Sequence, residues 1–416
     1  MSDQIRRRLK ARIERAIGAY RVVIVGGPRQ VGKTTLAKEL LGTRGTFRQL
    51  DRDETLAAAL VDPLGFVTAG DPPRGIDEVQ LAGDALIRAI KLQVDSDNTP
   101  GQYLLTGSAD FLSVPGLSES LAGRAVFFDL WPFSQGELRE EPDAFLDRVF
   151  QEPESLREGP RSELRREDYL DAICTGGFPE AVRMHADDRG PWFDSLVRTV
   201  TQRDIADLTG AKRAGELPRL LRLLAARTAN ELVTSQLHAD TGLARDTVDA
   251  YSGFLRMTYL VHELPAWSRN FTNRAKKRPK SYLTDTGLAS HLLGADATGL
   301  LRPEDKRRGP LGETFAVNEL RKQVGWSRTR MDLHHFRDRD GSEIDIIAEA
   351  PDGRVVAIEV KTALTVTGKD FTHLKKLRDA LGDDFIHGVV LSFTDTPLPF
   401  GDRLTSLPMS YLWKAD

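Results

Sequence analysis

Residues 22–34 constrain this chain more than any other stretch. Four apolar residues, Val22 to Val25, run into glycine and then into Gly27-Pro28-Arg29-Gln30-Val31-Gly32-Lys33-Thr34, and Lys33 to Leu41 continues in a helical pattern. The apolar run reads as a strand, and a glycine-rich loop between strand and helix has the spacing of a Walker A loop. The residue types matter because glycines let successive backbone N–H groups wrap phosphate oxygens, while the helix N-terminus adds a favourable partial charge. Gly27 to Thr34, with Thr35, are therefore predicted to bind ATP. Lys33 is predicted to reach the β- and γ-phosphates, and Thr34 to ligate Mg²⁺.

Further strands are predicted at Phe47 to Leu50, Tyr103 to Thr106 and Ala125 to Leu130, separated by helix-like segments at Thr55 to Leu60 and Asp84 to Val94. That alternation predicts an α/β layer with a largely parallel sheet. A helix is expected over Ile5 to Ala19, where the Arg6 to Arg8 run reads as a solvated face. Beyond about Phe133 the composition turns charged and helical, and from about Pro310 a helix gives way to strand-like stretches at Asp332 to Phe336, Glu343 to Ala348 and Val355 to Val360. At 416 residues the chain exceeds one growing core, so two or three domains are the prior, and three are expected.

Charge narrows the partners. With 58 basic and 61 acidic residues the net charge is -3, so nucleic acid would have to meet a local patch. The lone cysteine, Cys174, excludes an internal disulfide and a cysteine-based zinc site. No stretch approaches the roughly 20 apolar residues of a membrane span, and Met1 to Arg15 lacks a signal-peptide core, so a cytoplasmic protein without membrane partners is expected.

Asp77 and Glu78 suit a Walker B pair. Asp77 would hold Mg²⁺ and Glu78 would direct the attacking water. The preceding Asp71-Pro72-Pro73-Arg74-Gly75-Ile76 is a poor strand, which leaves a surface acidic pair as the alternative. Ser108, after the strand at Tyr103 to Thr106, is placed to sense the γ-phosphate, unless the segment is a plain turn. Arg124 is a candidate arginine finger, supplied in cis or by a neighbouring copy in a homo-oligomer; an ordinary surface arginine is the other reading.

Thr234 to Leu237, Gly242 and Ala244 to Leu255 have helix-turn-helix spacing, with Arg245, Asp246 and Thr247 at the start of the second helix. The basic residues Arg269, Arg274, Lys276, Lys277, Arg278 and Lys280 then read as a wing touching the phosphates of duplex DNA. Arg245, Thr247, Arg274, Lys276, Lys277 and Arg278 are the candidate contacts, against a structural hairpin or a protein-binding variant. Near the C-terminus, Asp345, Glu359 and Lys361, with Glu313 from a preceding helix, match what metal-dependent phosphodiester cleavage needs: carboxylates for Mg²⁺ and a lysine for water or developing charge. The alternative is a buried ion-pair network without cleavage.

The strings Gly-Pro-Arg-Gln-Val-Gly-Lys-Thr (27 to 34), Ile-Asp-Glu-Val-Gln (76 to 80), Leu-Thr-Gly-Ser (105 to 108), Leu-Ala-Gly-Arg (121 to 124), Gly-Gly-Phe-Pro-Glu (176 to 180), Arg-Asp-Ile (203 to 205), Thr-Asp-Thr-Gly-Leu (284 to 288) and Glu-Val-Lys (359 to 361) together resemble the prokaryotic AAA-type ATPases that carry a C-terminal domain of unknown function. The resemblance spans nearly the whole chain. It implies an AAA-type P-loop NTPase core over 1–140, a helical region over 141–213, a winged-helix-like domain over 214–300 and a restriction-endonuclease-like α/β domain over 301–416. The expected function is a Mg²⁺-dependent ATPase whose nucleotide state controls a C-terminal DNA-binding or nuclease-like module. An ATP-gated metal-dependent nuclease, and a nucleotide-switched protein-interaction module with little turnover, are the rivals.

Overall fold

A computed structural model of the chain describes residues 5–43, 45–108, 121–204, 214–338 and 340–414. The described residues fall into two compact units: those of Met1–Pro132, Arg203–Gly210 and Gly253–Leu260 in one, and those of Phe133–Gln202, Ala211–Ser252 and Val261–Asp416 in the other. The fold is α/β.

In the first unit β1 (Val22–Gly26), β2 (Thr46–Gln49), β3 (Arg74–Asp77), β4 (Tyr103–Thr106) and β5 (Ala125–Asp129) form a sheet in the order β2-β3-β4-β1-β5. Every neighbouring pair is parallel. All five residues of β1 are buried, which is why its sequence is apolar without alternation. Helices Lys33–Leu41 and Gly83–Ser96 follow β1 and β3, so the chain can return to the same edge of the sheet before each new strand. The carboxyl ends of β1, β3 and β4 thus lie along one edge, where parallel sheets bind their ligands. Leu86, Ile87, Ile90 and Val94 of helix Gly83–Ser96 share a core with Val22, Ile24, Ile76, Tyr103 and Leu105 of the sheet.

Two expectations change here. The stretch before Asp77 does form a strand. Gly75 has no side chain because Leu41 and Phe47 pack against that position, where an added Cβ would lie 2.5 and 2.7 Å from their carbons. Ile76 supplies the buried apolar anchor, 1% exposed. The N-terminal helix spans only Lys10–Ile17, and Arg7 is buried and donates to the Trp131 carbonyl instead of lying on a solvated face.

The second unit opens with helices such as Arg166–Thr175 and Ala186–Thr199, and holds no strand among the described residues of 133–202; residues 205–213, at the end of the expected helical region, lie outside the described residues. Next come helix Leu217–Ala226, β6 (Asn230–Glu231), helices Thr234–Thr241 and Arg245–Met257, β7 (Val261–Leu264), the short helix Phe271–Lys276 and β8 (Lys280–Leu283). The three strands pair antiparallel in the order β6-β8-β7.

The last sheet contains β9 (Asp332–Arg337), β10 (Glu343–Glu349), β11 (Val355–Val360), β12 (Phe385–Ser392), β13 (Leu398–Pro399) and β14 (Leu404–Pro408), in the order β13-β14-β12-β11-β10-β9. β9, β10 and β11 run antiparallel, whereas β12 is parallel to both β11 and β14. The connection from β11 to β12 carries helix Thr372–Leu381, whose Leu374, Leu377 and Leu381 pack on Ile344, Ile347, Ala357 and Val390. Ala266, just past β7, bridges to His335 of β9, so the two sheets of this unit meet at that edge. No helix among the described residues is long and apolar enough to cross a membrane.

Candidate functional site

β1 ends in a loop whose backbone only glycine accepts at two points. Gly27 and Gly32 have φ of 147° and 93°. A Cβ at Gly27 would collide with the Leu130 carbonyl oxygen, so the loop passes close to the end of β5. Gly32 precedes helix Lys33–Leu41, and Leu36 N closes the first turn on Gly32 O at 2.9 Å.

The Lys33 side chain folds back under this loop, 5% exposed, and donates to the carbonyls of Gly27 at 2.9 Å and Pro28 at 2.7 Å. Thr34 Oγ1 donates to Asp77 Oδ2 at 2.7 Å, and the other oxygen of Asp77 accepts from Thr106 Oγ1. The hydroxyl and carboxylate at the loop are hard oxygen donors of the kind Mg²⁺ takes alongside phosphate oxygens, so Thr34 and Asp77 fit that ion.

Glu78 follows Asp77 in a left-handed conformation, φ 54°, which an L-residue adopts at a cost of about 1 kcal/mol or more. Its Oε2 accepts from Ser108 Oγ at 2.9 Å, from Ser108 N at 3.3 Å and from Gln80 Nε2. Burial pushes the Glu78 carboxyl up, but the Lys33 ammonium, the Gln80 and Ser108 hydrogen bonds and the Arg29 guanidinium outweigh it and hold the group below the ordinary glutamate range. Glu78 is therefore ionised at neutral pH, as an acceptor of a water proton must be. Lys33, Thr34, Asp77, Glu78 and Ser108 converge at one edge of the sheet.

Arg124 does not join them in its own chain. It precedes β5, and because Val22 pairs with Ala125 and Gly26 with Asp129, Arg124 stands at the amino edge of the sheet while the phosphate loop leaves the carboxyl edge. Five strand residues separate the two, about 15 Å. Its guanidinium grips Asp95 of helix Gly83–Ser96 at 2.5 and 2.9 Å. The cis arginine finger is thereby corrected to an ion pair.

Three further residues enter the site. Thr106 and Gln80 orient the acids, and both lie in strings that carried the resemblance. Tyr259, at φ 59°, donates to Asp129 Oδ1 at 2.9 Å and lies over Gly26 at the head of the loop. Only the last is illegible in the sequence, because it stands more than 200 residues from the loop.

Comparison with known proteins agrees with this geometry. Residues 19–139 match the family model described as an AAA domain, while 166–299 and 308–412 match two models, each described as a domain of unknown function (DUF8612 and DUF4143). Unit one has the α/β fold of a P-loop NTPase core. The uncharacterized protein Rv2008c of Mycobacterium tuberculosis is 27% identical over 406 residues, 97% of this chain and 83% of that protein. Mb2031c of Mycobacterium bovis matches to the same extent. Among solved structures, the Walker-type ATPase PABY2304 of Pyrococcus abyssi covers 70% of this chain and 96% of its own, at 15% identity and a TM-score of 0.41.

In the second unit Gly242, at φ 71°, turns helix Thr234–Thr241 toward helix Arg245–Met257, and Arg245 and Asp246 are exposed at its start with Thr247 half-buried. The basic run divides. Arg274 is committed to Glu349 in a two-pronged pair at 2.5 and 2.6 Å, and Arg269 to Asp384 at 2.7 Å. Arg274 is therefore corrected from a DNA contact to a partner of β10. Lys276, Lys277 and Arg278 are exposed and line an open cleft of about 860 Å³ together with His335, Arg337, Glu231 and Asp338.

Lys280 is corrected more sharply: it is buried, not a wing residue. Its ammonium lies among Glu313, Glu343 and Asp345. Glu313 is pushed up to about 8 by burial and the Asp345 charge, against Lys280 and the Tyr282 hydroxyl. Asp345 Oδ2 accepts from Val360 N at 2.9 Å, and Lys361 Nζ donates to Glu359 Oε1 at 2.7 Å. Burial and the Asp345 charge also push Glu359 up to about 7. Glu313, Asp345, Glu359 and Lys361 are thus neighbours, but among the described residues no three acids, histidines or cysteines stand as a metal-holding group. His334 and His335 remain apart from them: His335 Nε2 meets the Arg278 carbonyl at 3.0 Å, and His334 lies 3.8 Å from Glu349.

Proposed function

We propose that the chain is a Mg²⁺-dependent ATPase whose nucleotide state controls DNA binding by its second unit. The observation that carries the catalytic half is the convergence of Lys33, Thr34, Asp77 and an ionised Glu78 at the carboxyl edge of a parallel sheet. In the proposed reaction, loop amides and the Lys33 ammonium, released from the two loop carbonyls, hold the β- and γ-phosphate oxygens. Thr34 and Asp77 would hold Mg²⁺, which when bound would supply charge neutralisation to the reacting phosphate. Glu78 aligns a water and takes its proton as oxygen bonds to the γ-phosphorus, the bridging bond to the β-phosphate breaks, and ADP leaves with phosphate. Ser108 and Gln80 fix the carboxylate that receives the proton.

The DNA half rests on a helix, strand, helix, helix, strand, short helix, strand order with an antiparallel three-stranded sheet, which suits the winged-helix reading, and on the exposed Lys276, Lys277 and Arg278 at the cleft. Duplex DNA is the partner such a surface suits. The test is phosphate release by the purified full chain with Mg²⁺, with and without duplex DNA. Hydrolysis that is lost in Lys33→Ala and changed by DNA is the expected result; nucleotide binding without measurable turnover would sink the enzymatic reading and leave a nucleotide-gated binding module.

A further inference from the structure

Lys280 opens β8, pairs across the strand with Leu264 of β7, and is 2% exposed. Its side chain leaves the three-stranded sheet and ends against β10 and helix Arg308–Val324. There Nζ lies 2.8 Å from Glu313 Oε1, 2.8 Å from Glu343 Oε1 and 3.5 Å from Asp345 Oδ1. An ammonium has three N–H donors, and here it meets three carboxylates. Tyr282, two residues on and therefore on the same face of β8, donates to Glu313 Oε1 at 2.7 Å.

Asp345 is aimed by the backbone. The pairing of β10 with β9 shifts register between Ile344 and Ile347, the irregularity by which strands redirect a side chain. Ile344 and Ile347 go to the apolar core, whereas Asp345 is hydrogen-bonded to Val360 N and faces Lys280. Desolvation alone would drive a proton off a buried ammonium, and the three acids outweigh it, keeping Lys280 charged. A divalent ion on these carboxylates would need oxygen ligands at about 2.0–2.2 Å and would stand against a fixed positive charge already bonded to the same oxygens.

We infer that Lys280 is the resident cation of this pocket: its ammonium holds the place among Glu313, Glu343 and Asp345 that phosphodiester cleavage would give to a metal. The pocket then pins β8 to β10 and helix Arg308–Val324 without metal, and the six-stranded domain does not cut nucleic acid. This inference is independent of the ATPase reading, since it concerns no residue of the phosphate loop.

The experiment uses the full chain, stripped with chelator and free of nucleotide, and titrates Mn²⁺ while following the melting midpoint and the heat of binding. The wild-type protein should show no response that Asp345→Asn removes, and should leave supercoiled plasmid intact. Lys280→Ala should gain a Mn²⁺-dependent rise of several degrees that a second change, Asp345→Asn, abolishes. Mn²⁺ heat in the wild type that disappears in Asp345→Asn would overturn the inference, as would plasmid cleavage lost in Lys361→Ala, or a folded Lys280→Ala protein without any gain. Should Lys280→Ala fail to fold, Lys280→Met with Glu313→Gln decides: the pair should melt above Lys280→Met alone, and a double variant melting at or below that single one overturns the inference.

Discussion

Glu78→Gln separates binding from chemistry at the phosphate loop. A glutamine carbonyl can keep every hydrogen bond that Glu78 Oε2 now accepts, from Ser108 Oγ, Ser108 N and Gln80, so the local fold has no reason to change. What disappears is the negative charge facing Lys33 and the acceptor for a water proton. Loss of a positioned base slows such reactions by about 10²–10⁴. That range corresponds to about 3–5 kcal/mol on the barrier. Binding should move the other way, because removing a carboxylate near the γ-phosphate removes a repulsion of like charges. The assay is single-turnover phosphate release beside equilibrium nucleotide binding. Slow hydrolysis with equal or tighter ATP binding is expected; hydrolysis within about threefold of the parent rate would refute the role given to Glu78.

Other expectations follow from single contacts. Gly27→Ala puts a methyl into the Leu130 carbonyl at a φ that only glycine tolerates, so nucleotide binding should fall by more than tenfold, measured by calorimetry with magnesium nucleotide. Arg124→Ala should leave hydrolysis unchanged in a monomeric preparation, since the guanidinium serves Asp95; a loss of about 10³ at concentrations that favour assembly would instead mark a finger given to a neighbouring copy. Reversing Lys276, Lys277 and Arg278 to glutamate should weaken duplex binding and flatten its salt dependence by roughly three units of slope, read from titrations at several salt concentrations.

A pH profile offers a structural check in the second unit. Asp143 is pushed up to about 8 by burial and by Glu319, with Glu137 adding to this and Ser134 and Lys322 opposing it. A carboxyl whose pKa is raised on folding stabilises fully below its unfolded value near 3.9, and that contribution is lost as pH rises through about 8. Asp143→Asn keeps the acceptor for Gly136 N and suits the left-handed backbone at φ 51°. Its stability advantage over the parent should therefore be absent near pH 4, grow through neutrality and level off above about pH 8, in thermal melts across that range. A constant difference across pH would show that the ionised carboxylate is not what strains this site.

The phosphate loop was legible because its information is local: an apolar strand, glycines at fixed offsets and a lysine at the helix start lie within thirteen consecutive residues. The strand before Asp77 was harder to read. Its glycine is explained by Leu41 and Phe47 from other elements, so the apolar content that marks a strand sits on its neighbours. Arg124 failed for a topological reason: a motif can nominate an arginine, but only the pairing of β1 with β5 says which edge of the sheet it occupies.

Lys280 shows how far composition can mislead. In the sequence it is the last of a basic run, equivalent to Lys276, Lys277 and Arg278, and charge counting assigns all of them to one solvated surface. What separates it is phase. Lys276 ends a short helix, Lys277 and Arg278 follow it in the exposed connection, and Lys280 is the first residue of a strand whose four residues are all buried. A lysine in that position cannot reach water, so it must find carboxylates or lose its proton. Glu313, Glu343 and Asp345 are those carboxylates, and two of them are the acids that on spacing alone read as metal ligands. The same three side chains cannot serve both cations at once, and the melting response to Mn²⁺ with and without the Lys280 ammonium measures which one they hold.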